Sequence, residues 1–170
     1  TNNFTVKIPC KPYVKAYLEN NCGYPVDLKH LPELNSVFVK NLRKHEQHRD
    51  SLKVCNHKEE VTLLIPSDVF YRYGWELTKD GILEFNKMVE TKAKFLMRYF
   101  VSFNRSLGSP VSVCIKEFQD TYNYPEPVWP YESIKKDFDR HGKYIQLDVI
   151  RELKKKINKI LLDNLSVLGT

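Results

Sequence analysis

Only two stretches of this chain read as strands: Phe4 to Ile8, which alternates apolar and polar residues, and the short apolar run Val61 to Ile65. Nearly every other apolar residue recurs at the spacing of a helix face. That scarcity of strand constrains the fold more than any other feature. Two strands cannot build a large sheet, and a lone ribbon is marginal in water, so helices must cover it. The expected fold is therefore α+β and predominantly helical, a small two-stranded antiparallel ribbon covered by six or seven helices.

The helical segments can be placed from their apolar spacing. From Pro9, residues Tyr13, Val14, Tyr17 and Leu18 share a face until Asn20, Asn21 and Gly23 intervene. Leu34, Val37, Phe38 and Leu42 mark a second helix from Glu33 to Lys44, and Ser67 to Tyr73 a short one that Gly74 closes, with Ser67 as its expected N-cap. The longest runs from Ile82 to Ser106, with Asp80 as the expected cap and Ile82, Phe85, Val89, Leu96, Tyr99, Phe100 and Phe103 facing inward. Gly108 and Pro110 stop it. Val111 to Asn123 follows, with Val113, Cys114, Phe118 and Tyr122 inward. A proline-rich connection, Tyr124 to Pro130, leads to a short helix with Tyr131, Ile134 and Phe138 on one face, ended by Gly142. A last helix from Tyr144 to Leu165 carries Ile150, Leu153, Ile157, Ile160 and Leu161, a stripe expected to pack within the chain because it spans fewer than three full heptads.

At 170 residues the chain suits one domain, 1–170, with a natural subdivision into 1–108 and 109–170. No apolar run approaches a membrane span and no basic-then-apolar leader opens the chain, so a cytoplasmic protein without membrane contact is expected. Cys10, Cys22, Cys55 and Cys114 form no CxxC pair, which fits reduced thiols. Lys and Arg number 27 against 21 Asp and Glu, a net +6 that permits nucleic acid as a partner without demanding it.

Both strands end in Ile-Pro and are followed by a helical run with an aromatic residue, Tyr13 or Phe70, and then a base, Lys15 or Arg72. This repeated unit resembles the strand-then-helix opening of ribbon-helix-helix DNA-binding proteins. The resemblance implies that outward ribbon side chains, here Thr5, Lys7, Thr62 and Leu64, face DNA; leucine at such a place departs from the pattern. The segment from Val111 to His141 is similar to a helix-turn-helix, with a longer connection. Its second helix carries Lys135, Lys136 and Arg140, then Lys143, on outer faces suited to phosphates. The densest basic run follows: Arg151, Lys154, Lys155, Lys156 and Lys159 against Glu152 alone. Lys135, Lys136, Arg140, Lys143, Lys154, Lys155 and Lys156 are the candidate nucleic-acid contacts.

His45, His48, Cys55 and His57 are all zinc-ligand types in one polar stretch, but their spacing matches no standard finger. They stand as secondary zinc candidates beside the simpler reading of a solvated basic loop; no metal or other cofactor is expected. No Gly-rich phosphate loop, HExxH or GxSxG occurs, so no enzyme is expected.

The order Ile8 to Tyr13, Ile65 to Gly74 and Ile134 to Arg140 resembles a family of uncharacterised proteins carried by phages and mobile elements of gut bacteria. The resemblance implies a role in regulation, replication or assembly of such an element and assigns no residue a role. Two functions from different classes follow: a non-enzymatic DNA-binding accessory or regulatory protein, or an assembly or adaptor protein that binds a protein partner or a second copy through its helices. Burial of the Ile150–Leu161 stripe favours the first, its exposure the second.

Overall fold

The computed structural model describes residues 4–44, 57–142 and 148–168, the side chains of 148–150 and 163–168 excepted. In chain order the elements are β1 (Phe4–Cys10), α1 (Pro12–Cys22), a 3-10 turn (Leu28–His30), α2 (Pro32–Asn41), β2 (Leu42–Arg43), β3 (Glu59–Ile65), α3 (Ser67–Tyr73), β4 (Glu76–Leu77), α4 (Lys79–Ser106), α5 (Val111–Thr121), α6 (Tyr131–Asp137), a π turn (Phe138–Gly142) and α7 (Asp148–Leu168). The fold is α+β and predominantly helical, as the scarcity of strand required.

β1 and β3 pair antiparallel, Phe4 opposite Ile65 and Cys10 opposite Glu59. Alternation does what the pattern implied: Ile8, Cys10, Val61, Leu63 and Ile65 are buried, whereas Thr5 and Lys7 are exposed. Thr62 and Leu64 are half-buried rather than outward and free. Beyond β3, Val26 makes a parallel bridge: its N–H donates to the Thr62 carbonyl and its carbonyl accepts from the Leu64 N–H, each at 2.9 Å. Pro9 sits inside β1 instead of opening a helix, and Pro12 takes the first helical turn, where a missing N–H costs nothing. Pro66, by contrast, directly caps α3. The two Ile-Pro junctions therefore differ in build, although one residue separates strand from helix in each.

Two expected caps move. Pro66, not Ser67, occupies the N-cap of α3, without a side-chain cap bond. Thr78, not Asp80, caps α4; its hydroxyl accepts from the Gly81 N–H at 3.1 Å, and Asp80 sits in the first turn, where a negative charge suits the helix dipole. α4 is the spine, 28 residues and about 42 Å long. Its buried line runs through Ile82, Phe85, Val89, Ala93, Met97 and Val101. Leu96, Tyr99, Phe100 and Phe103, expected inside, are only half-buried. Steps of four residues drift about 40° each around an α-helix, so the buried line winds from the face meeting α1 and α2 to the face meeting α5 and the π turn. On α5, Cys114, Ile115 and Phe118 are buried and Val113 points to solvent, one step off the face it was expected to share.

The aromatic part of the core joins α1 to α5 and the connection that follows it. Phe118 packs against Tyr124 and Trp129, and Tyr13 stacks on Trp129 with centroids 4.4 Å apart. The proline-rich connection is held by Gln119, whose Nε2 donates to the Trp129 carbonyl at 2.8 Å, and by Glu126, which accepts the Tyr131 N–H at 2.9 Å and so caps the start of α6. A second ribbon, β2 with β4, pairs two residues on each side. Cys10, Cys22 and Cys114 are free thiols, and burial pushes the Cys10 thiol up to about 12. Among the described residues no helix is long and apolar enough to cross a membrane.

Candidate interaction surface

The C-terminal third divides at Gly142. Before it, Ile134 and Phe138 are fully buried, and Gly142 closes so tightly over Phe138 that a Cβ would lie 2.1 Å from its ring. Ser102 on α4 donates to the Gly142 carbonyl at 3.1 Å and fixes the π turn to the spine. Glu90, Lys94 and Arg98 stand one turn apart on α4 and clamp the start of α1 and the end of α6. The Glu90 carboxylate accepts from Lys11 Nζ and Tyr13 Oη at 2.8 Å each, and Asp137 accepts from Arg98 Nε at 2.5 Å with Lys94 Nζ at 3.6 Å. Burial alone would raise both carboxyls. The hydrogen bonds and charges of Lys11 and Tyr13, and of Arg98 and Lys94, outweigh it and hold both below the usual carboxylate range. Every charge of this seam has a partner, so it reads as a fastening and leaves no vacant group for a ligand.

After Gly142 the picture changes. α7 is 21 residues long, yet the described side chains of 151–162 include none that is buried. Leu153 is 43% exposed, Ile157 44%, Ile160 59%, Leu161 54% and Leu162 66%. The described part of the stripe expected to pack within the chain, Leu153, Ile157, Ile160 and Leu161, is therefore open to solvent, and among the described residues the last to join the core is Phe138. Lys154 ties the helix to the body. Half-buried, its Nζ donates to the Ser106 carbonyl at 2.6 Å, the last residue of α4, where unsatisfied carbonyls and the helix dipole favour a cation.

The candidate phosphate contacts sort into three groups. Lys136, Arg140 and Lys156 are exposed, with no ionic partner among the described residues. Lys135 pairs with Asp139 at 3.5 Å and Lys155 with Glu152 at 2.8 Å, both on the surface. Lys154 is engaged with Ser106 as above, and Lys143 lies outside the described residues. The outward face expected for Lys135, Lys136 and Arg140 is observed, and Ile134 and Phe138 point inward beneath them. Of the zinc candidates, His45, His48 and Cys55 lie outside the described residues; His57 is half-buried, and no metal-binding cluster occurs among the described residues. A shallow cleft of about 210 Å³ between Leu31, Pro32, Leu34 and Lys92 is bridged by the Lys92–Glu33 ion pair, which neutralises its own charge.

Reading by spacing passed over Leu162. The signal was there: Ile160, Leu161 and Leu162 are consecutive, and three consecutive helical positions sweep about 200°, too wide for one buried stripe. No protein-family model, curated protein or solved structure matches the chain.

Proposed function

We propose that this chain is an interaction protein that presents α7 as a docking helix to a protein partner. The observation that carries this reading is the open Leu153–Ile157–Ile160–Leu161 face on a helix none of whose described side chains joins the core. In proteins most of a helix's stability comes from packing its apolar face. Contiguous exposed apolar surface on an ordered element marks an interaction site. The test uses the full chain and a helical peptide with a Leu/Ile seam and uncharged Gln flanks. Binding that Ile157→Asp abolishes, or concentration-dependent self-association that the same change abolishes, supports the reading. A chain that stays monomeric in light scattering and binds no such peptide sinks it.

A second reading, the DNA-binding accessory or regulatory protein of a mobile element, is favoured by Lys136, Arg140 and Lys156, which are exposed and unpaired among the described residues. If about four bases neutralise phosphates of B-DNA, log K should fall against log salt with a slope of about −3.6. The double change Lys136→Gln and Arg140→Gln should flatten that slope by about two and weaken all sequences alike. No binding to duplex or single-stranded DNA at low salt removes this reading and leaves the first untouched.

A further inference from the structure

We infer that the occupant of the α7 face is a second copy of this chain, its own α7 lying parallel and in register with the first. The inference rests on α7 being a docking helix and names what docks. Written as heptads, α7 sets Ile150, Ile157 and Asn164 at one seam position, a, and Leu153, Ile160 and Val167 at the other, d. The seam is aliphatic apart from Asn164. A single Asn at an a position fixes the register of a helix pair, because it is best satisfied opposite itself.

Five bases lie between positions 151 and 159, so α7 can meet its own copy only if that charge is kept off the seam. Helical spacing does this. Lys155 and Lys159 fall on the face opposite the stripe, and Arg151 falls well to one side of it. Lys154 borders the stripe but is held by the Ser106 carbonyl. Lys156 alone borders it exposed and unpaired among the described residues. In a parallel pair the flank position it meets is Leu161 of the second copy, not a base. The free chain already holds α7 as a helix, so pairing does not first have to nucleate one. A seam this short is at the small end of interfaces, and the pair is reversible and concentration-dependent.

Two orientations compete. In an antiparallel pair with Ile157 opposite Ile160, Lys156 meets Asp163 of the second copy twice, and Asn164 meets Leu153 twice. Each exposed ion pair strengthens association only a few-fold. Each Asn shut against a leucine without a hydrogen-bond partner weakens it about tenfold or more. Parallel, Asn164 meets Asn164, and each carboxamide offers both a donor and an acceptor to the other. The loss at Asn164 outweighs the gain at Lys156, so the parallel pair wins.

The experiment follows association of the full chain by sedimentation across concentration. The parent is expected to dimerise and Ile157→Asp to stay monomeric. Asn164→Asp and Asn164→Lys, each alone, are expected to weaken association about tenfold or more, because like charges face one another. Mixed together, the two variants are expected to pair more tightly than either does alone. In the antiparallel pair these positions stand roughly 16 Å apart, and mixing rescues nothing. A dimer without that rescue overturns the parallel register. A dimer that Ile157→Asp leaves intact places the contact elsewhere and overturns the inference. A monomer that binds the uncharged Leu/Ile peptide through Ile157 overturns the second copy and leaves the docking helix standing. A monomer that binds no such peptide overturns both.

Discussion

If the core ends at Phe138, truncating a residue on either side of Gly142 should have opposite consequences. Phe138 is fully buried, its ring lies against Gly142, and the π turn it begins packs on α4. Phe138→Ala removes that ring from a site pinned by the Ser102 hydrogen bond, so the surroundings cannot easily collapse into the space, and the expected cost is about 3–5 kcal/mol. Ile157 lies one helix later on an equally apolar stripe but is 44% exposed. A buried isoleucine would cost about 2–5 kcal/mol on truncation to alanine. Here most of that loss is absent, and alanine is the better helix former by a few tenths of a kcal/mol. The expected change for Ile157→Ala is within about 0.5 kcal/mol of zero. Urea unfolding at low protein concentration, where association is suppressed, measures both. A cost of about 2 kcal/mol or more for Ile157→Ala under those conditions would show the stripe sealed inside the molecule and refute the reasoning about α7.

Gly74→Ala should destabilise by more than about 3 kcal/mol, because Gly74 has φ +117° and an added Cβ would lie 2.1 Å from the Arg43 carbonyl carbon, a backbone atom that cannot swing aside; an unfolding midpoint near that of the parent would contradict it. Acid should weaken the fold through Glu90 and Asp137. Their folded pKa values are lowered, so their stabilisation is full above the unfolded values of about 4.3 and 3.9 and is lost as pH falls through the folded values. The pair of changes Glu90→Gln and Asp137→Asn should flatten the fall in urea midpoint between about pH 5 and pH 2, and an unchanged slope would remove the seam from the account.

The ribbon's two strands and their pairing were legible, each two residues short at one end, because Phe4 to Ile8 alternates and Val61 to Ile65 is a short apolar run closed by Pro66; Leu64 breaks the alternation, and the register came only with the structure. β2 and β4 were not legible, since two residues carry no period. The α4 cap was ambiguous because Thr78 and Asp80 are both capping types two residues apart, and only backbone geometry separates them. On the candidate surface, the outward placement of Lys135, Lys136 and Arg140 followed from the inward Ile134 and Phe138, and local spacing contains the pairs Lys135–Asp139 and Lys155–Glu152. Lys154 was beyond reach, since its partner at Ser106 is distant in the chain. The openness of α7 was beyond reach for a deeper reason. Periodicity shows that a helix has an apolar face and is silent on whether the rest of the molecule has apolar surface left to cover it.

The ribbon's borders carry a consequence for aggregation. Since Thr62 and Leu64 turn their backbone groups away from β1, the residues opposite them and Pro9 turn theirs to the outer side of β1. At Pro9 that side offers no N–H, and its carbonyl is already taken by Asn86 Nδ2 at 2.9 Å. On the far side, Val26 occupies the Thr62 carbonyl and the Leu64 N–H. Both margins are thus blunted where a foreign strand would add, and the exposed Lys7 guards the remainder of β1 with charge. Edge-to-edge stacking into fibrils is obstructed at the chain's most strand-prone segments, so conditions that precipitate this protein should act through its helices or its unfolded state and not through the intact ribbon.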